Sequence, residues 1–445
     1  MTASPSDSTL LAGLFSDPEI AAIFSDQKFV RVMLHVEAEL AQSEAQLGII
    51  PAKAGERIAE AAEKLEVDFD GLLVSTASHG LPVIELIRQI REAVGGESAF
   101  YVHWGATTQD IIDTARVLQC QSALDILEKR RAKLARNLGK PADRYRHTLM
   151  AGRTHSQQAL PIPFGLKVAG WIAPLLRHHQ RWIELSSRVN VVQFGGAVGS
   201  LASLGERGID VQQVLAARLD LSVPLMPWHT QRDSFAEVAG WLSMLTGSLA
   251  KMAQDIILLA QTEIGEARES ADSSRGGSST MPQKSNPIQS EFIIAAARMN
   301  ASMLASMHQA LIVEHERGTH GWQMELATLP QMFALTASAL NRAILLSENL
   351  VVDEDRMLEN VASSKGLMLA EAITFALAPF MNRADAKALV NESMQTAVHE
   401  SRHLVDVIRE RTDAPIDWDA LRDESRYFGS ADAFIDRVLN AIESD

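Results

Sequence analysis

Residues 233–268 read DSFAEVAGWLSMLTGSLAKMAQDIILLAQTEIGEAR and contain no proline. Val238, Trp241, Leu242, Leu245, Leu249, Met252, Ile256 and Leu259 recur at the three- and four-residue spacing of one helix face. At about 1.5 Å per residue an unbroken helix here would run roughly 50 Å, too long for one compact globule. Residues 163–190, 288–312 and 331–349 are also long and poor in breakers, and strand signals are few. These ranges predict an all-α, elongated bundle. Broad apolar faces on such helices need partners, so an oligomer is expected.

Shorter helices are predicted around this frame. Residues 27–48 carry an apolar stripe of Phe29, Val30, Met33, Leu34, Val36, Leu40 and Leu47 among Glu37, Glu39 and Glu44, ending at Gly48 with Pro51 beyond. Further helices are expected over 52–65, 81–94 and from Asp110 to about 145. No internal repeat or low-complexity tract interrupts the chain.

At 445 residues the chain exceeds one core, which implies two or three domains. Aromatics are only 5% of a chain that is 47% hydrophobic, a helical-bundle composition. Lys plus Arg number 41 against 56 Asp plus Glu, a formal charge of -15. That sign argues against a nucleic-acid or anionic-membrane surface, yet leaves room for an anionic substrate held by a local donor cluster. Cys120 is the single cysteine, so there is no intramolecular disulfide, and it reads as a small buried apolar residue. Neither a metal-ligand cluster nor a dinucleotide fingerprint appears, so no metal and no organic cofactor are expected. A basic-then-apolar leader and a run of eighteen apolar residues are both lacking, and a cytoplasmic location without membrane partners is expected.

Three clusters carry chemistry. Gly276-Gly277-Ser278-Ser279-Thr280-Met281-Pro282-Gln283-Lys284-Ser285-Asn286-Pro287 joins breakers, hydroxyls, a cation and amides between two helical patterns. It reads as a loop, and by composition alone a connector is as good a reading as a functional segment. Val102-His103-Trp104-Gly105-Ala106-Thr107-Thr108-Gln109-Asp110, followed by Thr114, precedes a helix. It suits either a cap, with Thr108 or Asp110 satisfying free N–H groups, or a carboxylate-binding helix start. Gly152-Arg153-Thr154-His155-Ser156-Gln157-Gln158 places one histidine near a helix start, where a structural role is the commoner one.

The first cluster resembles the GSSxMPxKxNP signature of the fumarase/aspartase superfamily, with every fixed position present from Gly277 to Pro287. The third matches its GRTHxQ region, and the second its first signature region. The resemblance implies an enzyme with three domains: an amino-terminal helical domain over 1–105, a long-helix bundle over 106–350 carrying the signature loop 270–290, and a helical domain over 351–445. It also implies a homotetramer whose central helices pool into a twenty-helix core, each active site being shared by three subunits.

Residue by residue, the resemblance makes Ser278 the base that takes a proton next to a carboxylate, ionised by its surroundings with Lys284 the natural candidate. Lys284, Asn286 and loop N–H groups would face the dianion that forms. His155 would relay protons to the leaving group, with Glu291, thirteen residues after Ser278, as its partner. A carboxylate on a histidine fixes its tautomer and suits it to act as an acid. Thr107, Thr108, Gln109, Thr154, Gln157, Ser279 and Met281 become substrate-binding residues. Gln231, Arg232 and Arg317, in Trp228-His229-Thr230-Gln231-Arg232-Asp233 and Glu314-His315-Glu316-Arg317, become plausible substrate contacts, against surface salt-bridging as the plainer reading.

Over nearly the whole chain the sequence is most similar to the 3-carboxy-cis,cis-muconate cycloisomerase branch, through Gly13-Leu14-Phe15-Ser16-Asp17-Pro18 and the stretches at 102–107, 227–233 and 314–317. It departs from that branch at His155 and Glu291, and at His79, which resembles a substrate-binding histidine of adenylosuccinate lyases. A His–Glu acid suits protonation of a poor amine leaving group. The favoured expectation is therefore a C–N lyase or epimerase acting on an N-substituted aspartate such as iminodisuccinate, through fumarate. Lactonisation of 3-carboxy-cis,cis-muconate is the alternative. Adenylosuccinate lyase itself, whose expected Ser-His-Ser-Ser run is here Gly318-Thr319-His320-Gly321, and an inactive structural relative stand further back.

Overall fold

The computed structural model describes residues 8–270, 281, 284–318 and 320–443. Helices dominate them. Among those preceding the first signature region are α1 (Asp26–Gln46), α2 (Ala52–Lys64), α3 (Phe69–His79) and α4 (Val83–Val94). The long elements follow as α5 (Thr108–Arg144), the strands β1 (Leu149–Thr154) and β2 (Gln157–Pro163), α6 (Phe164–Val189) and α7 (Asp233–Leu259). After them come β3 (Ala267–Glu269), α8 (Ile288–Gln309), α9 (Gly321–Asn349), β4 (Leu350–Val352) and α10 (Glu354–Ser363). The all-α reading holds, with two small antiparallel strand pairs, β1–β2 and β3–β4, added to it.

The chain divides into two compact units. One comprises Met1–Lys129, Gln180–Thr246 and Ala296–Ser338, the other Arg130–His179, Gly247–Ala295 and Ala339–Asp445. In the first, Leu34, Leu40, Ile58, Leu86 and Ile90 are among the buried residues of α1, α2 and α4. In the second, Leu369, Ile373, Leu377, Val390, Leu404, Ile408 and Trp418 form a core cluster near the carboxy terminus.

Local chemistry sets the helix ends. Ser25 caps α1 by accepting the Lys28 N–H at 3.2 Å. Of the stripe predicted for α1, Val30, Met33, Leu34, Val36 and Leu40 are buried and Phe29 and Leu47 half-buried, but Glu37 and Glu44, on the polar side by periodicity, are buried too. The helix expected over 233–268 ends at Leu259. There the Glu266 N–H reaches back to the Leu259 carbonyl, and Gly265 takes φ +66°, a left-handed turn that glycine adopts without strain. Conversely, the helix expected from 331 begins at Gly321 and runs through Pro330, carried by the buried side chains of Trp322, Glu325 and Leu329. By length and hydropathy α7 could cross a membrane. Its stripe of Val238, Trp241, Leu242, Leu245, Leu249, Met252 and Ile256 is instead at most 2% exposed, the mark of a core helix.

Candidate active site

In the first unit the site is built on the amino terminus of α5. Asp110, in the third position of the helix, accepts the Thr107 N–H at 3.0 Å. Its carboxylate also takes the N–H groups of Gly195 and Gly196, both at 2.9 Å, and bonds His229 Nε2 at 2.7 Å. A Cβ on Gly195 would lie 2.6 Å from Pro227 Cβ, so only glycine allows this approach. The capping alternative is thus realised by Asp110, while the hydroxyl of Thr107 is left for other work. Arg317 donates to Thr107 Oγ1 at 2.8 Å and to the Ala197 carbonyl at 2.9 Å. Thr107, Thr108 and Arg317 are half-buried, and they place a hydroxyl and a guanidinium beside a helix start. Such a set favours an anion.

Two residues expected to touch substrate are placed elsewhere. Arg232 is 3% exposed, and its guanidinium bonds Asp113 at 2.6 and 3.0 Å and Glu325 at 3.0 Å. Burial disfavours its charge, but Asp113 and Glu325 outweigh burial and its pKa is raised. In this structure the Arg232 guanidinium is thus buried and committed to Asp113 and Glu325, the salt-bridging reading but inside the fold rather than at its surface. Gln109 is also buried and donates to Asp113 Oδ2 and the His229 carbonyl, so its amide serves the same cluster. Trp322 Nε1 completes it at 3.1 Å from Asp113. Gln231 is exposed, as is His79 at the end of α3, where its Nδ1 lies 3.0 Å from the Ser75 carbonyl.

In the second unit, His155 lies at the tip of the β1–β2 hairpin rather than near a helix start. Thr154 pairs with Gln157, and the two residues between them, His155 and Ser156, have φ +48° and +63°. Two left-handed central residues are the mark of a type I′ hairpin turn, which asparagine and glycine normally fill. Holding non-glycine residues there costs on the order of 1–2 kcal/mol each, and such outliers concentrate at functional sites. Thr154, His155 and Gln157 are exposed on the single chain. Arg153, just inside the tip, forms a two-pronged pair with the buried Glu266 at 2.6 and 2.7 Å.

Glu291 is exposed in the first turn of α8, with its N–H on the Pro287 carbonyl. Met281 and Lys284 are exposed and Asn286 half-buried ahead of it. Ser278 and Ser279 lie outside the described residues. Sequence reasoning passed over Asp113, Glu266, Glu269 and Glu325. Of these only Asp113 gave a signal, standing one helical turn after Gln109 on the same face.

Comparison with known proteins is consistent with this geometry. Residues 15–299 match a family described as lyase, and residues 366–438 the adenylosuccinate lyase C-terminus family. The chain belongs to the fumarase/aspartase superfamily. It is 42% identical to a 3-carboxy-cis,cis-muconate cycloisomerase of Pseudomonas aeruginosa, covering 97% of this chain and 95% of the relative. It is 35% identical to an N-acetyl-S-(2-succino)cysteine lyase of Enterococcus italicus, over 98% and 97% of the two chains. The solved 3-carboxy-cis,cis-muconate lactonizing enzyme of Pseudomonas putida superposes with a TM-score of 0.90 at 37% identity, covering 98% of this chain and 99% of that one. As a superfamily member with cycloisomerase and lyase relatives, the chain is an enzyme.

Proposed function

We propose that this enzyme catalyses addition–elimination on a small polycarboxylate, with Ser278 taking or returning the proton on the carbon next to a carboxylate. Thr107, Thr108 and Arg317 hold a substrate carboxylate at the start of α5, and Lys284 and Asn286 face the charge that develops. The reaction best supported is lactonisation of 3-carboxy-cis,cis-muconate. The observation that carries it is the end-to-end similarity to cycloisomerases, at 42% identity in one relative and a TM-score of 0.90 in one solved structure. In that reaction a carboxylate oxygen adds to a carbon–carbon double bond of the same molecule, and a proton joins the neighbouring carbon.

A second reading, cleavage or epimerisation at a C–N bond of an N-substituted aspartate, rests on His155. A histidine on an exposed, strained hairpin tip, with Glu291 available at a helix start, suits protonation of a poor leaving group. The relative named as a lyase of a succinylated cysteine lends support to bond cleavage beside a succinyl group. Both readings include a homotetramer whose sites combine residues of three subunits, which accords with the exposure of His155, Lys284 and Glu291 on one chain.

Replacing Ser278 tests the shared chemistry. Ser278→Ala should abolish turnover of whichever substrate is accepted while mass and helical circular dichroism stay as in the parent; an unchanged rate would remove Ser278 from its role. His155→Asn separates the two readings. It should change lactonisation less than about threefold, whereas loss of a general acid costs C–N cleavage roughly 100- to 10,000-fold.

A further inference from the structure

We infer that the segment from Glu266 to Glu269 is the positioning element of the site, its two buried carboxylates fixing the His155 hairpin and the start of the Glu291 helix to one strand. The inference rests on the second reading, in which His155 and Glu291 serve C–N chemistry, so its rates are read on an N-substituted aspartate.

The hairpin side is held by Glu266, which is 0% exposed. Its two oxygens receive both prongs of Arg153, and Oε1 also accepts Asn360 Nδ2 at 2.8 Å. A buried carboxylate is costly unless its partners are well placed, and here they are complete. Arg153 is two residues from the tip. Between it and Ala151 the β1–β2 register shifts at Gly152, where a Cβ would lie 2.9 Å from the Leu160 carbonyl. The hairpin therefore bends just below His155, and the Arg153–Glu266 pair fixes that bend. Gln158, on the return strand, adds a bond to the Asn360 carbonyl at 3.4 Å.

The helix side is held by Glu269, which is 8% exposed. Its carboxylate accepts the Ser290 N–H and the Ser290 hydroxyl, both at 2.8 Å, and the Gln289 N–H at 3.2 Å. These are among the amino-terminal N–H groups that a helix leaves unsatisfied, and the helix dipole favours an anion there. A helix usually supplies its own cap. Here the cap comes from a different element, and it grips the residue next to Glu291.

The segment between the two carboxylates is itself anchored. Ala267, Arg268 and Glu269 pair with Val352, Val351 and Leu350. Beyond the strand, the Asp353 N–H bonds the Glu266 carbonyl at 3.0 Å and the Ser270 N–H bonds the Asn349 carbonyl at 3.2 Å. Both functional elements thus hang from one fixed strand. Misplacement of a catalytic group by about 1 Å can cost 100-fold in rate, which gives such a device its value whether His155 and Glu291 meet within a subunit or across subunits.

The test uses full-length Glu266→Gln and Glu269→Gln enzymes, with Arg153→Lys and Ser290→Ala as milder companions should either misfold. Hydrogen exchange by mass spectrometry should quicken at least tenfold in residues 149–163 for the first variant and in 286–296 for the second, each leaving the other segment unchanged. Each should lower kcat on an N-substituted aspartate roughly 10- to 100-fold with KM within threefold. Unchanged local exchange in both, or exchange that quickens throughout the molecule, would overturn the inference. Local exchange rising without kinetic effect would overturn it too, and His155→Asn measured alongside locates the fault. A rate loss in His155→Asn would mean that positioning alone has failed. No loss there would mean that the proposed role of His155 has failed with it.

Discussion

Glu44 offers a quantitative test of the α1 packing. It is 0% exposed, neither carboxyl oxygen has a hydrogen-bond partner, and burial followed by repulsion from Glu37 pushes its pKa up to about 9. Glu37 is itself 1% exposed, with one oxygen 2.6 Å from His103 Nδ1. Between the ordinary carboxyl value of 4.5 and about 9, the folded chain retains a proton that the unfolded chain has released. The native state then binds more protons, so stability falls as pH rises through this window. At pH 7.5 the medium lies about three units above the ordinary value, and at 1.36 kcal/mol per unit the loss is on the order of 4 kcal/mol. Glu44→Gln keeps the size and removes the titration. Urea unfolding at fixed protein concentration from pH 5 to pH 8.5 should show a stability slope shallower by up to one proton, with the variant gaining most at the alkaline end. Parallel slopes for the two proteins would refute the reasoning.

Three further outcomes follow from the same geometry. Arg232→Met strands Asp113 and Glu325 as buried carboxylates and should destabilise the fold by about 3–5 kcal/mol in denaturant unfolding; a change below about 1 kcal/mol would mean the cluster is not the buried network described. Burial pushes the Cys120 thiol up to about 12. A thiol reagent at pH 8 should therefore label the unfolded chain and leave the native one unmodified, and fast native labelling would contradict that burial. Turnover should vanish at dilutions where light scattering shows only monomer, and activity persisting there would contradict a site shared between subunits.

The long helices were legible because their apolar period persists, even where Pro174 and Pro330 lie inside them. Period could not locate the end of α7, since Gln261 to Gly265 gives only one breaker, Gly265, six residues beyond Leu259. It also missed the hairpin, whose tip is His155-Ser156 rather than a recognisable turn pair and whose second strand carries Pro161 and Pro163. The roles proposed for Ser278, Lys284 and His155 were readable only through the resemblance, because composition alone left the segment of the first two equally readable as a connector. Buried acids were the least legible class. Glu37, Glu44, Glu266 and Glu269 look like solvated residues in a linear pattern. The partners that justify Glu266 and Glu269, namely Arg153, Asn360 and Ser290, come from other elements of the fold. The ion pairs of Arg232 were hidden for the same reason, since Asp113 and Glu325 meet it only in three dimensions.

The central claim is proton transfer beside a carboxylate by a polycarboxylate lyase or cycloisomerase. The direct measurement is proton NMR in D₂O of the purified enzyme with 3-carboxy-cis,cis-muconate, iminodisuccinate and other N-substituted aspartates. The account predicts a lactone carrying deuterium on the carbon next to a carboxylate. Fumarate release, or inversion at an amine-bearing carbon, would instead establish the C–N reading. No conversion of any of them, by enzyme that is folded and tetrameric, would contradict the claim.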